Sequence, residues 1–317
     1  VVTSAAFLSF RIVQFMKSLL SLLLLTPGLL FAELSVPHFF SDHMILQRER
    51  AAAIWGKADA GTQVSVAFKG KDKIEIQDVL VGEVWFASGQ SNMFYTMNRS
   101  PEYAALIAES NHQALRMFNA PLVTAEKNQA DIEGSWKAAT PETVPDYSAV
   151  AFFFARKLHL ELGVPVGVIK SAWGGKPVET FTSREALNTL PGTKVLVDAM
   201  LKDEASFDQA KADAAYATKL EQWKATMAAA KGKPEVDRKR LPKKPDAPKR
   251  PLRTEGRPGV LYAAMIHPFV GYTMRGAIWY QGEGNAKPGA VPYDQTLPLM
   301  INDWRKRWAD EFSFYYV

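Results

Sequence analysis

The strongest constraint in this sequence is a recurring change of character. A short, almost wholly apolar run stops abruptly at a polar turn that carries glycine. Residues 83–87 (Glu-Val-Trp-Phe-Ala) run into Ser88-Gly89-Gln90-Ser91-Asn92-Met93, residues 166–171 into Trp173-Gly174-Gly175-Lys176, and residues 276–280 into Gln281-Gly282-Glu283-Gly284-Asn285. Further apolar runs at 115–118 and 312–317 read as strands of the same kind. Between them lie helical patterns. Residues 148–162 have Ser148 placed as N-cap and Gly163 just past the end, and residues 293–308 put Tyr293, Leu297, Met300, Ile301, Trp304 and Trp308 on one face. Apolar strands alternating with helices predict an α/β fold, a central parallel sheet covered on both faces.

Other segments depart from this rhythm. Residues 34–80 alternate in the manner of strands, at 52–55, 63–68 and 74–79, with Gly56, Gly61 and Gly70 between them, and predict a small β domain over 33–80. Residues 199–230 are rich in alanine and carry Tyr216, Leu220, Trp223 and Met227 at helical spacing, a packing face. Six prolines from Pro234 to Pro258 then forbid any single regular element. Together these make an insertion at about 199–258 within a catalytic unit running from 81 to 317. Residues 231–257 hold 11 Lys and Arg against 4 Asp and Glu, while the whole chain of 317 residues carries a net charge of only +5. The basic character therefore belongs to one segment. It lacks interleaved aromatics and reads as a solvated linker, with no nucleic-acid partner expected.

The N-terminus has the form of a processing segment. Met16-Lys17 is followed by an apolar run over 19–30, and Ala32 offers a small residue for cleavage. About a dozen apolar residues are too few to span a bilayer, which takes ~20. Residues 16–32 thus read as a secretory signal with no stable membrane insertion after cleavage, and residues 1–15 as an upstream extension. With no cysteine in the chain, disulfides, thiolate metal sites and a Cys nucleophile are excluded. An exported, cysteine-free chain fits a bacterial periplasm or exterior.

In open α/β sheets ligands sit beyond the carboxyl ends of the strands, where the three glycine-bearing turns fall. Ser91 lies at a strand-to-helix turn, the placement a serine nucleophile requires. Met at position 93 shows that this is not the Gly-x-Ser-x-Gly elbow of ordinary α/β hydrolases. Gly174 or Gly175 can bring a main-chain N–H to a developing oxyanion. Gln281 or Asn285 can add an amide, each donor being worth roughly 3 kcal/mol in the transition state. No metal or organic cofactor is implied.

The block Val84-Trp85-x-x-Ser88-Gly89-Gln90-Ser91-Asn92-Met93 resembles the nucleophile block of the sialate O-acetylesterases, a carbohydrate-esterase branch of the SGNH hydrolase superfamily. The likeness continues in Ser171-Ala172-Trp173-Gly174-Gly175, in residues 278–286 and in Phe40-Ser41-Asp42-His43-Met44-Ile45-Leu46-Gln47-Arg48. It implies an SGNH-type three-layer sandwich, preceded by a small β domain. It further implies Ser91 as nucleophile, an oxyanion hole drawn from Ser91, Gly174, Gly175, Gln281 and Asn285, and ordering roles for Gln90, Asn92 and Glu283. The expected substrate is an O-acetylated carbohydrate, with sialic acid foremost and acetylated plant polysaccharide as the alternative.

Three departures stand out, one being that the β region between Gly70 and Asp78 is short for the family. Gly284 occupies a position where the family usually has Ser. The family also closes its triad with an Asp-x-x-His block, which is not met before Val317, so the chain reads as C-terminally truncated. None of His38, His43, His112, His159 and His267 reads as a replacement base, and a chain without the base is expected to be inactive or weak. An inert carbohydrate-binding protein is the reading from another class. The motifs carry no information on oligomeric state.

Overall fold

The computed structural model describes residues 35–55, 76–230 and 241–317. Its centre is a sheet of strands β1 (Ile45–Gln47), β2 (Leu80–Gly89), β3 (His112–Asn119), β4 (Trp136–Ala139), β5 (Val166–Ala172), β6 (Gly276–Tyr280) and β7 (Ser313–Tyr316). Six strands run in the order β4-β3-β5-β2-β6-β7, and β1 pairs with the start of β2. Every pairing is parallel except β3 with β4. Because β2 lies between β5 and β6, the ends of all three meet at the centre of one sheet edge, as the sequence pattern requires.

Helices are α1 (Ser91–Phe94), α2 (Ala104–Ala108), α3 (Ala149–Leu162), α4 (Arg184–Leu187), α5 (Pro191–Ala205), α6 (Gln209–Ala229) and α7 (Tyr293–Trp308). The sheet separates two apolar layers. On one side Trp85, Ala87, Met117 and Val168 pack with Met93 of α1 and Ala151, Phe152 and Ala155 of α3. On the other, Phe86, Ile169 and Trp279 pack with Met300, Trp304 and Trp308 of α7. The result is a mixed α/β sandwich with a mostly parallel sheet, consistent with an SGNH-like fold.

Local signals explain the boundaries. Ser148 caps α3 by accepting from the Ala151 N–H, and Gly163 ends it in the left-handed conformation at φ 63°. The strand at Gly276–Tyr280 and helix α7 fall where the apolar pattern predicts them. Strand β4 is unforeseen: four residues are too few to display a period. Residues 51–55 are not a strand. Instead Trp55 sits 4.6 Å from Phe40, and Phe39, Phe40 and Ile45 join the same apolar layer as α7. Residues 76–79 are not a strand either, and the rest of that run lies outside the described residues, as do the run at 63–68, the signal-like segment and residues 231–240. Among the described residues no helix is long and apolar enough to cross a membrane.

Helix α5 starts at Pro191, ahead of the expected insertion start at about 199. The stripe Tyr216, Leu220, Trp223 and Met227 on α6 is only half-buried. The Trp223 indole donates to the Pro242 carbonyl at 2.9 Å, so the described part of the proline-rich stretch touches this helix there.

Candidate active site

Backbone bonds stitch the three turns together. Gln90 N–H donates to the Tyr280 carbonyl at 2.9 Å, and Trp173 N–H donates to the Gly89 carbonyl at 3.1 Å. Gly89 makes this possible. It sits at φ 137°, and a Cβ there would lie 2.2 Å from the Tyr280 carbonyl oxygen. The turn after β2 therefore closes against β6 only with glycine at this position.

Ser91 is the first residue of α1 and is exposed. Gly174 faces it closely: a Cβ on Gly174 would stand 3.7 Å from both Cα and Cβ of Ser91. Neither Ser91 nor Gly174 uses its backbone N–H in a hydrogen bond to another described residue. The backbones of Ser91 and Gly174 thus pass close together beside an exposed hydroxyl, with neither N–H group used by another described residue. Gly175, at φ 70°, follows immediately and has open space where a Cβ would be.

Glu283 holds the flanks of Ser91. Its carboxylate accepts from Gln90 Nε2 at 2.6 Å and from Asn92 Nδ2 at 3.0 Å. Gln90 Oε1 in turn accepts from the Gly284 N–H at 3.1 Å and from Gln281 Nε2 at 3.3 Å. A Cβ at Gly284 would come 2.9 Å from Gln90 Oε1 and 3.0 Å from the Lys176 carbonyl, so glycine at 284 lets this crossing close tightly. The residues expected to order the site are found in one network.

The third turn's amides are placed differently from expectation. Gln281 Nε2 donates to Asn285 Oδ1 at 2.8 Å and to the Lys176 carbonyl at 3.2 Å. Asn285 Nδ2 donates to both carboxylate oxygens of Glu179, at 3.1 and 2.9 Å, and its Oδ1 also accepts from the Val178 N–H. Both side chains are buried. With these donors committed inside the protein, the free donors nearest Ser91 are main-chain ones, and Gln281 and Asn285 act as the floor beneath the turns. The reason is Glu179, a buried carboxylate that sequence reasoning missed. It lies in no motif, and nothing in its neighbourhood distinguishes it from a surface glutamate.

Lys170 was missed for the same reason. It sits on β5 with only 5% of its surface exposed, its ammonium 4.6 Å from the centre of the Phe94 ring of α1. Burial pulls its pKa down to about 8.

The histidines are engaged elsewhere. His38 bonds Asp131, His43 bonds Asp78, and the rings of His159 and His267 reach the carbonyls of Val164 and Gln129. His112 lies at the start of β3, against the ring of His159. Three of these, His43, His112 and His159, belong to the edge of the sheet opposite Ser91. Among the described residues no histidine bonds to Ser91.

Comparison with known proteins fits this geometry, although no family model matches the chain. Sialate O-acetylesterase of Rattus norvegicus is 28% identical over 84% of this chain and 55% of its own length. The Mus musculus enzyme is 30% identical over 74% of this chain and 40% of its own. The Homo sapiens enzyme is 25% identical, with 84% and 52% covered. A solved structure of a carbohydrate acetylesterase from Xanthomonas citri superposes with a TM-score of 0.63 at 26% identity, covering 89% of this chain and 60% of that one. The chain thus spans about half the length of the curated relatives it matches. On sequence and fold together, the chain is sialate O-acetylesterase-like over about half the length of those relatives.

Proposed function

We propose that this chain carries the nucleophile and oxyanion half of a serine esterase that removes O-acetyl groups from a carbohydrate. The observation that carries this reading is the exposed Ser91 hydroxyl standing against Gly174, with the N–H groups of both residues free. In the reaction Ser91 Oγ attacks the acetyl carbonyl, and the negative oxygen is received by the Ser91 and Gly174 N–H groups, with Gly175 adjoining. The sugar hydroxyl leaves, and water then releases acetate from the acyl-serine. The general base is not assigned to any of the five histidines, none of which bonds Ser91 among the described residues. Export after removal of residues 16–32 belongs to the same reading.

Sialic acid is the first substrate to examine, because the curated relatives are named for it. A different acetylated sugar is the alternative, favoured by the broader description of the Xanthomonas citri structure. Acetate release by the complete protein tests the reaction. The wild type should release acetate from an acetylated sugar, and Ser91→Ala should not. Undiminished release by the variant would overturn the assignment.

A further inference from the structure

Close to Gly174 in the chain stands a cation whose hydrogen-bonding capacity is unused among the described residues. Lys176 lies two residues past Gly174, and its backbone is fixed because its carbonyl accepts from Gln281. Its side chain is 19% exposed, and its ammonium stands 5.6 Å from the centre of the half-buried Trp173 ring. Its nearest carboxylate, Glu255, is 3.8 Å away. A charge-assisted hydrogen bond is about 2.8 Å long, so this pair is an ionic contact without a hydrogen bond. Glu255 is drawn the other way by Lys249 at 3.3 Å. Among the described residues, the Lys176 ammonium therefore donates to nothing.

The other sparsely partnered cation near the nucleophile, Lys170, lies across the sheet beneath α1, with the Phe94 ring against its ammonium. Lys176 instead stands beside the half-buried indole ring of Trp173, a pairing that suits an anionic sugar. Such a ring stacks on the C–H face of a pyranose, and an ammonium with three free donors binds a carboxylate.

We propose that Lys176, backed by Trp173, is the receptor for the carboxylate of the substrate, and that Glu255 from the insertion holds that place in the free protein. This rests on the carbohydrate-esterase reading and narrows it to an acidic sugar. It makes the insertion a selector of substrates, because Glu255 comes from the stretch that follows the two long helices.

Binding tests it on the chain as it stands, with no need for turnover. Free sialic acid and its methyl ester have nearly the same shape but differ in the charge at the carboxyl. Titration calorimetry of the wild type should show the acid binding at least tenfold more tightly than the ester. Lys176→Met should bring the acid down to the level of the ester. Glu255→Gln should tighten the acid several-fold and leave the ester unchanged. Equal affinities of wild type for the two compounds would overturn the proposal, as would a charge preference that survives in Lys176→Met. The esterase reading is tested separately, through Ser91. An enzyme for a neutral acetylated sugar would release acetate through Ser91 and yet fail this binding test.

Discussion

The two ends of the sheet handle polar groups in opposite ways. At the end where the parallel strands begin, Glu83 is buried and fully matched. It accepts from Arg48 Nε at 2.6 Å, from Arg275 Nε at 2.7 Å and Nη2 at 2.9 Å, and from Gln47 Nε2 at 3.4 Å. At the end where the strands finish, among the described residues, Ser91 and Gly174 keep their N–H groups free and the Lys176 ammonium has no acceptor within hydrogen-bond reach. Folding matches buried groups because an unmatched one costs about 1–3 kcal/mol. Donors left free around an exposed hydroxyl are available to a reacting oxygen. The saturated end serves stability, and the unsaturated end offers what the proposed chemistry requires.

The sharpest way to break this contrast is to exchange the effects. Ser91→Ala in the complete protein should lower acetate release by at least ~10³-fold. Because Ser91 is exposed, its melting temperature should stay where it was. A large loss of stability would mean that Ser91 belongs to the structural class after all.

Glu283→Gln comes next. It removes the charge that holds Gln90 and Asn92 on either side of Ser91. Slight misplacement of a nucleophile costs up to ~10²-fold in rate, so kcat should fall by about 10- to 100-fold with little change in KM. An unchanged kcat would show that Ser91 is held without this clamp.

At the other end, Glu83→Gln should do the reverse. Leaving two arginines without their buried partner should cost about 3 kcal/mol of stability, measured by denaturant unfolding, with kcat unaltered in the molecules that remain folded. A fall in kcat without a loss of stability would break the division of labour.

The smallest effect is one of pH. Burial alone would raise the Glu83 carboxyl, but the hydrogen bonds from Arg275 and Arg48 outweigh it and hold the group down to about 2, from an ordinary 4.5. A carboxyl depressed by folding contributes stability that is whole above pH 4.5 and is lost as the pH falls from there towards 2. Melting temperature across that window should fall less steeply in Glu83→Gln than in the wild type. Parallel slopes would remove Glu83 from the account.

Much of this arrangement was legible in the sequence, for physical reasons. The cap at Ser148, the stop at Gly163, the strand at Gly276–Tyr280 and the stripe of α7 are local signals, read from neighbours within a few residues. The convergence of the three turns follows from parallel topology once the strands are found. Strand β4 was hidden because its partner, β3, is set by tertiary packing. The hydrogen bonds of Gln281 and Asn285 were hidden because they depend on Glu179, about a hundred residues away. Spacing shows that an amide is present at a strand end. Only its partners show whether it is free to serve a substrate.

The central claim is that Ser91 and Gly174 together surround one acyl oxygen. A crystal structure of the complete protein with a phosphonate trapped on Ser91 measures this directly. The account predicts the phosphonyl oxygen within ~3 Å of the backbone nitrogens of Ser91 and Gly174, with Gln281 and Asn285 still bound to each other beneath it. A phosphonyl oxygen turned to solvent, or one held by the Gln281 or Asn285 amide instead, would contradict it.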